Sequence, residues 1–364
     1  MGSSDGPPSL RDRFRGCLLG GAVGDALGAP VEFSSYDEVV RQHGEGGPAD
    51  LGRAFGVDGA VTDDTQMTLW TAEGLLRALH RLQGKGVASR PDMVWAAYQR
   101  WLATQGGPAD DGALREPGWL WGHRALHARR APGHTCLAAL RGGVVGTVAD
   151  PVNDSKGCGG VMRAAPAGLL FGPGEAFEAG CELAALTHGH PSGWTAAGAL
   201  ALAVALVRDG APVGDALDAA EARARSAPGG GETTAALGEA RRLAASDVPD
   251  AGAVQALATV APESGPGWVA EEALAVAALC ARRHGAGPVP DVERALRAAV
   301  THSGDSDSTG SICGNLLGAA YGVGALPARW VAAVELADVV GQVADDLHDA
   351  WDGRGGWEDR YPPT

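Results

Sequence analysis

Ser192-Gly193-Trp194-Thr195-Ala196-Ala197-Gly198-Ala199-Leu200-Ala201-Leu202-Ala203-Val204-Ala205-Leu206-Val207 is apolar on nearly every face of a helical projection. It is rich in Ala and Leu and does not alternate, which favours helix over strand. Its all-round apolar character suits a central helix covered on every side. Residues 268–281 read the same way. Outward from these two, helical apolar spacing runs through 65–82 (Met67, Leu69, Trp70, Leu75, Leu76, Leu79), 91–102, 175–186, 292–300 and 327–347. No convincing strand series is present. The expected fold is all-α: a single compact multi-helix orthogonal bundle. Gly/Pro-rich joints at 104–118, 226–231 and 261–267 are short, and the apolar pattern resumes at once, so they read as surface loops within one domain. That domain is expected at 11–350, with a disordered polar tail at 1–10 and an aromatic and polar tail at 351–364.

A chain of 364 residues, 45% apolar, can bury a substantial core. Its formal charge of −15 excludes a protein that grips nucleic-acid backbone or an anionic membrane through basic patches. Any anionic substrate must be met by local devices. Six cysteines (Cys17, Cys136, Cys158, Cys181, Cys280, Cys313) form no C-x-x-C pair, so they are read as reduced thiols in cytosol. No signal peptide is visible and no run approaches a membrane span. A cytoplasmic monomer is expected. The 56 glycines are roughly twice the usual ~7%, and many fall in short loops where backbone can approach a ligand.

Two compact acidic clusters carry the chemistry: Thr62-Asp63-Asp64-Thr65 and Gly304-Asp305-Ser306-Asp307-Ser308-Thr309, each opening onto a helix. Carboxylates and hydroxyls at this density are hard oxygen ligands for Mg²⁺, Mn²⁺ or Ca²⁺. Helix capping alone explains a lone Asp-Asp, but two carboxylates and two hydroxyls in one turn exceed what a cap needs. If the clusters meet, Asp63, Asp64, Asp305 and Asp307 bring four negative charges together, which two divalent cations neutralise. Without metal, mutual repulsion should raise some of these pKa values.

These residues resemble the ADP-ribosylglycohydrolase family through five blocks between Arg15 and Tyr321. The first runs from Arg15-Gly16-Cys17 through Gly20, Gly24, Asp25 and Gly28 to Glu32-Phe33. Apart from the family, Gly20, Gly24 and Gly28 at i, i+4 spacing suggest a helix face pressed against a neighbour, with Asp25 a buried structural acid. The second block is Val61-Thr62-Asp63-Asp64-Thr65-Gln66-Met67 and the fifth Asp305-Ser306-Asp307-Ser308. The resemblance implies two Mg²⁺ ions, with Mn²⁺ as the alternative, held by Thr62, Asp63, Asp64, Asp305, Asp307 and Ser308. This makes a binuclear site at helix N-termini, with Thr309 a cap or secondary ligand. The third block, Ser155-Lys156-Gly157-Cys158-Gly159-Gly160-Val161-Met162-Arg163, resembles a loop cradling the diphosphate and ribose of ADP-ribose through free N–H groups. Ser155, Gly157, Cys158 and Gly159 are its binding residues, and Met162 and Arg163 brace it. The fourth, Leu186-Thr187-His188-Gly189-His190-Pro191-Ser192-Gly193-Trp194, resembles the family motif whose histidine, here His188, faces phosphate or ribose. Gly304 and Ser306 complete the implied substrate contacts. Cys158 departs from the Asn of some serine-type relatives, which alters the pocket.

What the resemblance implies is hydrolysis of the C1″ glycosidic bond of ADP-ribosylated protein side chains, nearest the arginine branch, with Asp63, Asp64 and Glu32 as the catalytic acids. The ADP-ribose moiety on a modified protein is the expected partner, and no nucleic-acid or membrane partner is expected. The source of the leaving-group proton stays open among a metal-bound water, Glu32 and a raised-pKa Asp. A serine- or poly(ADP-ribose)-directed hydrolase, a non-catalytic ADP-ribose binder and an immunity or regulatory protein are the competing readings.

Overall fold

The computed structural model describes residues 6–285 and 290–363, and helices dominate it. The expected tail at 1–10 lies partly outside the described residues. α1 (Leu10–Gly28) begins at a capping box, in which the Ser9 hydroxyl accepts the Asp12 N–H and Asp12 accepts the Ser9 N–H. α2 (Tyr36–His43) repeats the device with Ser35 and Glu38. A hairpin of two-residue strands, β1 (Arg53–Ala54) and β2 (Val57–Asp58), is the one sheet among the described residues. α3 (Asp63–Lys85) then packs on α4 (Arg90–Thr104). Next come α5 (His134–Arg141), α6 (Ala165–Leu170), α7 (Pro173–Ala185) and α8 (Pro191–Arg208), the last two opening on Pro in the first turn. α9 (Val213–Arg225), α10 (Gly231–Ala244), α11 (Asp250–Gln255) and α12 (Ala270–Gly285) follow. α13 (Val292–Val300), α14 (Ser306–Tyr321), α15 (Ala328–Ala333) and α16 (Ala337–Trp351) complete the bundle.

The core is organised as the composition demands. In residues 192–208 of α8 every residue but Leu206 is buried, and α12 is buried from Ala270 to Ala281. These two helices cross the middle, packed on each other and on α14. No helix among the described residues is long and apolar enough to cross a membrane.

The most intimate packing is between α1 and α14. Gly16, Gly20, Gly24 and Gly28 face Gly318, Gly314, Gly310 and Ser306 in turn, so the helices run antiparallel. A Cβ at any of the four α1 positions would collide with a backbone carbonyl of α14. The seam sets the end of α1 against the first turn of α14.

One sequence expectation needs correction. The stretch 327–347 is two helices, because Val334 and Glu335 leave the helical path and Leu336 takes φ +61°. The break is held by long-range partners: the Arg130 guanidinium clasps the Glu335 carboxylate, one nitrogen at 2.9 Å, and the Glu335 N–H donates to the Gly59 carbonyl at 2.9 Å. Arg130 also donates to the Val61 carbonyl at 2.8 Å, so the break braces the approach to α3. The stretch 351–363 packs on the body, with Trp357 and Tyr361 buried and the Tyr361 hydroxyl donating to Asp346 at 2.8 Å.

Candidate active site

Both acidic clusters form helix N-termini. Thr62 caps α3, its hydroxyl accepting the Asp64 N–H at 3.3 Å. Asp25 of α1 is fully buried beneath this turn. It accepts the N–H groups of Thr62 and Thr65 at 3.0 and 3.1 Å and the Thr65 hydroxyl at 2.5 Å. Asp305 caps α14 through the Ser308 N–H at 3.3 Å, and Asp307 accepts the same N–H at 3.0 Å. Gly304 precedes them at φ +128°, where a Cβ would strike the Pro266 carbonyl. Thr309 is a structural cap, its hydroxyl among the carbonyls of Ala299, Asp305 and Ser306.

The antiparallel seam carries Glu32 to the start of α14, and the two clusters meet. Glu32, Asp63, Asp64, Asp305, Asp307 and Ser308 share the wall of one cleft of about 260 Å³ with Gly157, Cys158, Gly159 and His188. Thr62 and Ser306, both fully buried, are outside that wall, as are Ser155 and Gly304. One carboxylate oxygen from each of Glu32, Asp305 and Asp307 lies within 4.8 Å of the others. Glu32 Oε2 and Asp64 Oδ1 are buried without a hydrogen-bond partner. Buried carboxylate oxygens left without donors are costly unless a cation meets them, so the donor set fits a hard divalent ion.

Burial first, then neighbouring acids, raises these groups. Glu32 is pushed up to about 9 by burial with Asp305, Asp63 and Asp25 beside it. Asp63 is raised to about 8 by burial, against the pull of the Gly133 N–H. Asp64 and Asp307 lie well above the usual carboxylate range for the same reasons. Mutual repulsion was expected to do this; burial is the larger cause and repulsion adds to it.

The sign of the linkage follows. Glu32 and Asp63 bind protons more tightly folded than unfolded, where Glu and Asp titrate near ~4.3 and ~3.9. Their contribution to stability is complete below those unfolded values and is lost as pH rises through about 8 and about 9. In chelator, the melting temperature is expected to fall more steeply between pH 5 and pH 9 than in saturating Mg²⁺, which replaces the protons. Parallel melting curves in the two buffers would sink this prediction.

The third and fourth blocks form the opposite wall. The Cys158 N–H donates to the Trp268 carbonyl at 3.2 Å and the Ala270 N–H to the Lys156 carbonyl at 2.9 Å, tying loop 155–160 to the start of α12. The Cys158 thiol donates to Asp305 Oδ2 at 2.7 Å, and Ser155 shares a 3.0 Å hydrogen bond with Thr135. His188 is fully buried and its pKa is lowered to about 3 by burial and the nearby Arg163, so its ring is neutral. It lies so close to the loop that a Cβ at Gly159 would sit 2.9 Å from Cε1. Sequence reasoning did not nominate Gly133, His134, Thr135, Cys136 or Trp268, which also line the cleft. At the mouth, exposed Phe33 stacks on Trp268 at 6.1 Å between ring centroids.

Comparisons with known proteins identify the family. The family model described as ADP-ribosylglycohydrolase matches residues 6–356. An ADP-ribosyl-[dinitrogen reductase] glycohydrolase of Rhodospirillum rubrum is 28% identical over 337 residues, 90% of this chain and 92% of that one. An uncharacterized protein of Archaeoglobus fulgidus is 28% identical over 348 residues, covering 93% and 97%. A solved structure described as an ADP-ribosylglycohydrolase-related protein complex superposes with TM-score 0.59 at 28% identity, covering 94% of this chain and 99% of the other. With the family matched along nearly its whole length, this chain belongs to the ADP-ribosylglycohydrolases, glycohydrolases acting on ADP-ribosylated substrates.

Proposed function

We propose that the chain hydrolyses the C1″ bond between ADP-ribose and a modified arginine side chain, with two divalent cations, Mg²⁺ or Mn²⁺, held between the first turns of α3 and α14. The observation that carries this reading is the meeting of two clusters some 240 residues apart (305 against 64) in a single cleft that also holds the Gly-rich loop and His188. Asp305, Asp307 and Glu32 make the tightest acidic group; Thr62, Asp63, Asp64 and Ser308 supply the remaining oxygens. Such cations supply Lewis acidity at the reacting sugar and water.

The chain's own groups divide the rest of the work. The cleft-lining loop of Gly157, Cys158 and Gly159, with His188, holds the diphosphate and ribose and places C1″ over the acids. Asp63 or Asp64 accepts the proton of the attacking water and faces the positive charge that builds on the sugar as the bond breaks. Guanidine departs readily only when protonated, and Glu32, which lines the cleft beside the other acids, is the candidate donor of that proton.

The test is release of ADP-ribose from arginine- and serine-modified peptides and from poly(ADP-ribose), each in chelator, Mg²⁺ and Mn²⁺. Turnover of the arginine peptide is expected to vanish in chelator and return with either ion. Preference for the serine peptide or the polymer would overturn the arginine assignment, and undiminished turnover in excess chelator would overturn the metal assignment.

A further inference from the structure

We infer that Arg163 and Thr187 lock His188 in the tautomer that keeps its proton on Nε2, so that the histidine meets the ligand as a neutral hydrogen-bond donor. Arg163, Thr187 and His188 are all fully buried. An Arg163 nitrogen donates to Thr187 Oγ1 at 2.6 Å, and the same hydroxyl lies 2.8 Å from His188 Nδ1. The guanidinium has donors only, so the hydroxyl must accept from it. The other terminal nitrogen meets sulfur, Met67 Sδ at 3.3 Å and Cys136 Sγ at 3.4 Å, Nε is buried without a partner, and the Tyr98 ring centroid lies 4.3 Å from the guanidinium carbon. Among the described residues Thr187 Oγ1 is therefore the oxygen that accepts from this cation, and its own proton points at Nδ1.

Electrostatics selects the same arrangement. An Nδ1–H aimed at a hydroxyl already holding a guanidinium would set two positive ends together in a low-dielectric interior, whereas a bare Nδ1 lone pair is attracted. With Nδ1 accepting, the ring proton must sit on Nε2. Nε2 is the edge that faces the Gly-rich loop, 3.2 Å from where a Cβ of Gly159 would lie. The cleft thus gains an N–H donor for a phosphate or ribose oxygen on the wall opposite the acids. The nature of that acceptor rests on the function proposed above; the tautomer does not. Arg163 and Thr187 are positioning residues, acting through His188.

Long-range ¹H–¹⁵N NMR of histidine-labelled protein without ligand tests this, with the His188 signals assigned by their loss in His188→Gln. A protonated Nε2 and a bare Nδ1 are expected at neutral pH. The opposite tautomer, a mixture, or a doubly protonated ring in the wild-type spectrum would overturn the inference, with no variant required. Thr187→Val keeps the shape and removes the hydroxyl; it is expected to release the tautomer and to weaken calorimetric binding of ADP-ribose about tenfold, the worth of one hydrogen bond. Thr187→Ser is expected to restore both. A valine variant that keeps the wild-type tautomer would overturn the relay. The expected tautomer in a protein with no affinity for ADP-ribose would instead overturn the proposed ligand and leave the relay standing.

Discussion

Asp64→Asn and Asp307→Asn are each expected to lower kcat in saturating Mg²⁺ by on the order of 10³, corresponding to about 4 kcal/mol of lost transition-state stabilisation, while the metal-free protein stays folded. Both acids are buried in the first turn of their helices, Asp64 4 residues before Thr68 on α3 and Asp307 beside Ser308 on α14, and both line the cleft. Asp64 Oδ1 has no donor, and its carboxyl is raised by burial and then by Asp25, Asp63 and Asp305. Asp307 is raised by burial and then by Glu32, Asp64 and Asp305. Replacing either carboxylate by an isosteric amide removes a proposed metal ligand and also relieves like-charge repulsion. Turnover and metal-free stability should therefore move separately: melting temperature in chelator unchanged or higher, and the rise on adding Mg²⁺ reduced or absent. A purely structural role for these acids would instead lower the melting temperature in both buffers. Full activity in both variants would remove the metal assignment.

Much of this architecture could be read from local pattern. Residues 292–300 were expected as a helix and α13 has those bounds, while α8 begins and ends one residue outside the expected 192–207. In both, apolar spacing and the flanking residues speak with one voice. Asp25 reads as a structural acid because it sits on an apolar glycine-spaced face, and it is buried under Thr62 and Thr65. The break in 327–347 was invisible, since its cause is Arg130, 205 residues from Glu335. Residues 133–136 were missed for a related reason. Nothing in Gly133-His134-Thr135-Cys136 announces a ligand, and only tertiary packing turns that segment toward the acids. The acidic clusters themselves stood out because they hold more carboxylates than a helix cap can use.

Gly24→Val is expected to be the most damaging single change outside the cleft, destabilising the protein by about 3 kcal/mol or more, at or beyond the upper end for overpacking. A Cβ at this position would drive into the Gly310 carbonyl and the Ser311 nitrogen, and backbone cannot rotate aside as a side chain can. The contact is mutual, since a Cβ at Gly310 would meet the Gly24 carbonyl. A suitable control is Gly341→Ala in α16, where nothing lies within 4 Å of the added Cβ; it is expected to be neutral or to stabilise by roughly 0.5–1 kcal/mol through helix propensity. Chemical denaturation of both variants measures the contrast, and equal stabilities would refute the close-packed seam. The functional consequence separates this seam from ordinary core packing. Glu32 follows α1 while Asp305 and Asp307 open α14, so the distance among the three acids is set by how closely Gly24 and Gly28 approach Gly310 and Ser306. The milder Gly28→Ala, adjoining the first turn of α14, is therefore expected to weaken Mg²⁺ binding in calorimetry at temperatures where the variant remains folded. Unaltered Mg²⁺ affinity in a folded Gly28→Ala protein would show that the acids find their geometry without the seam.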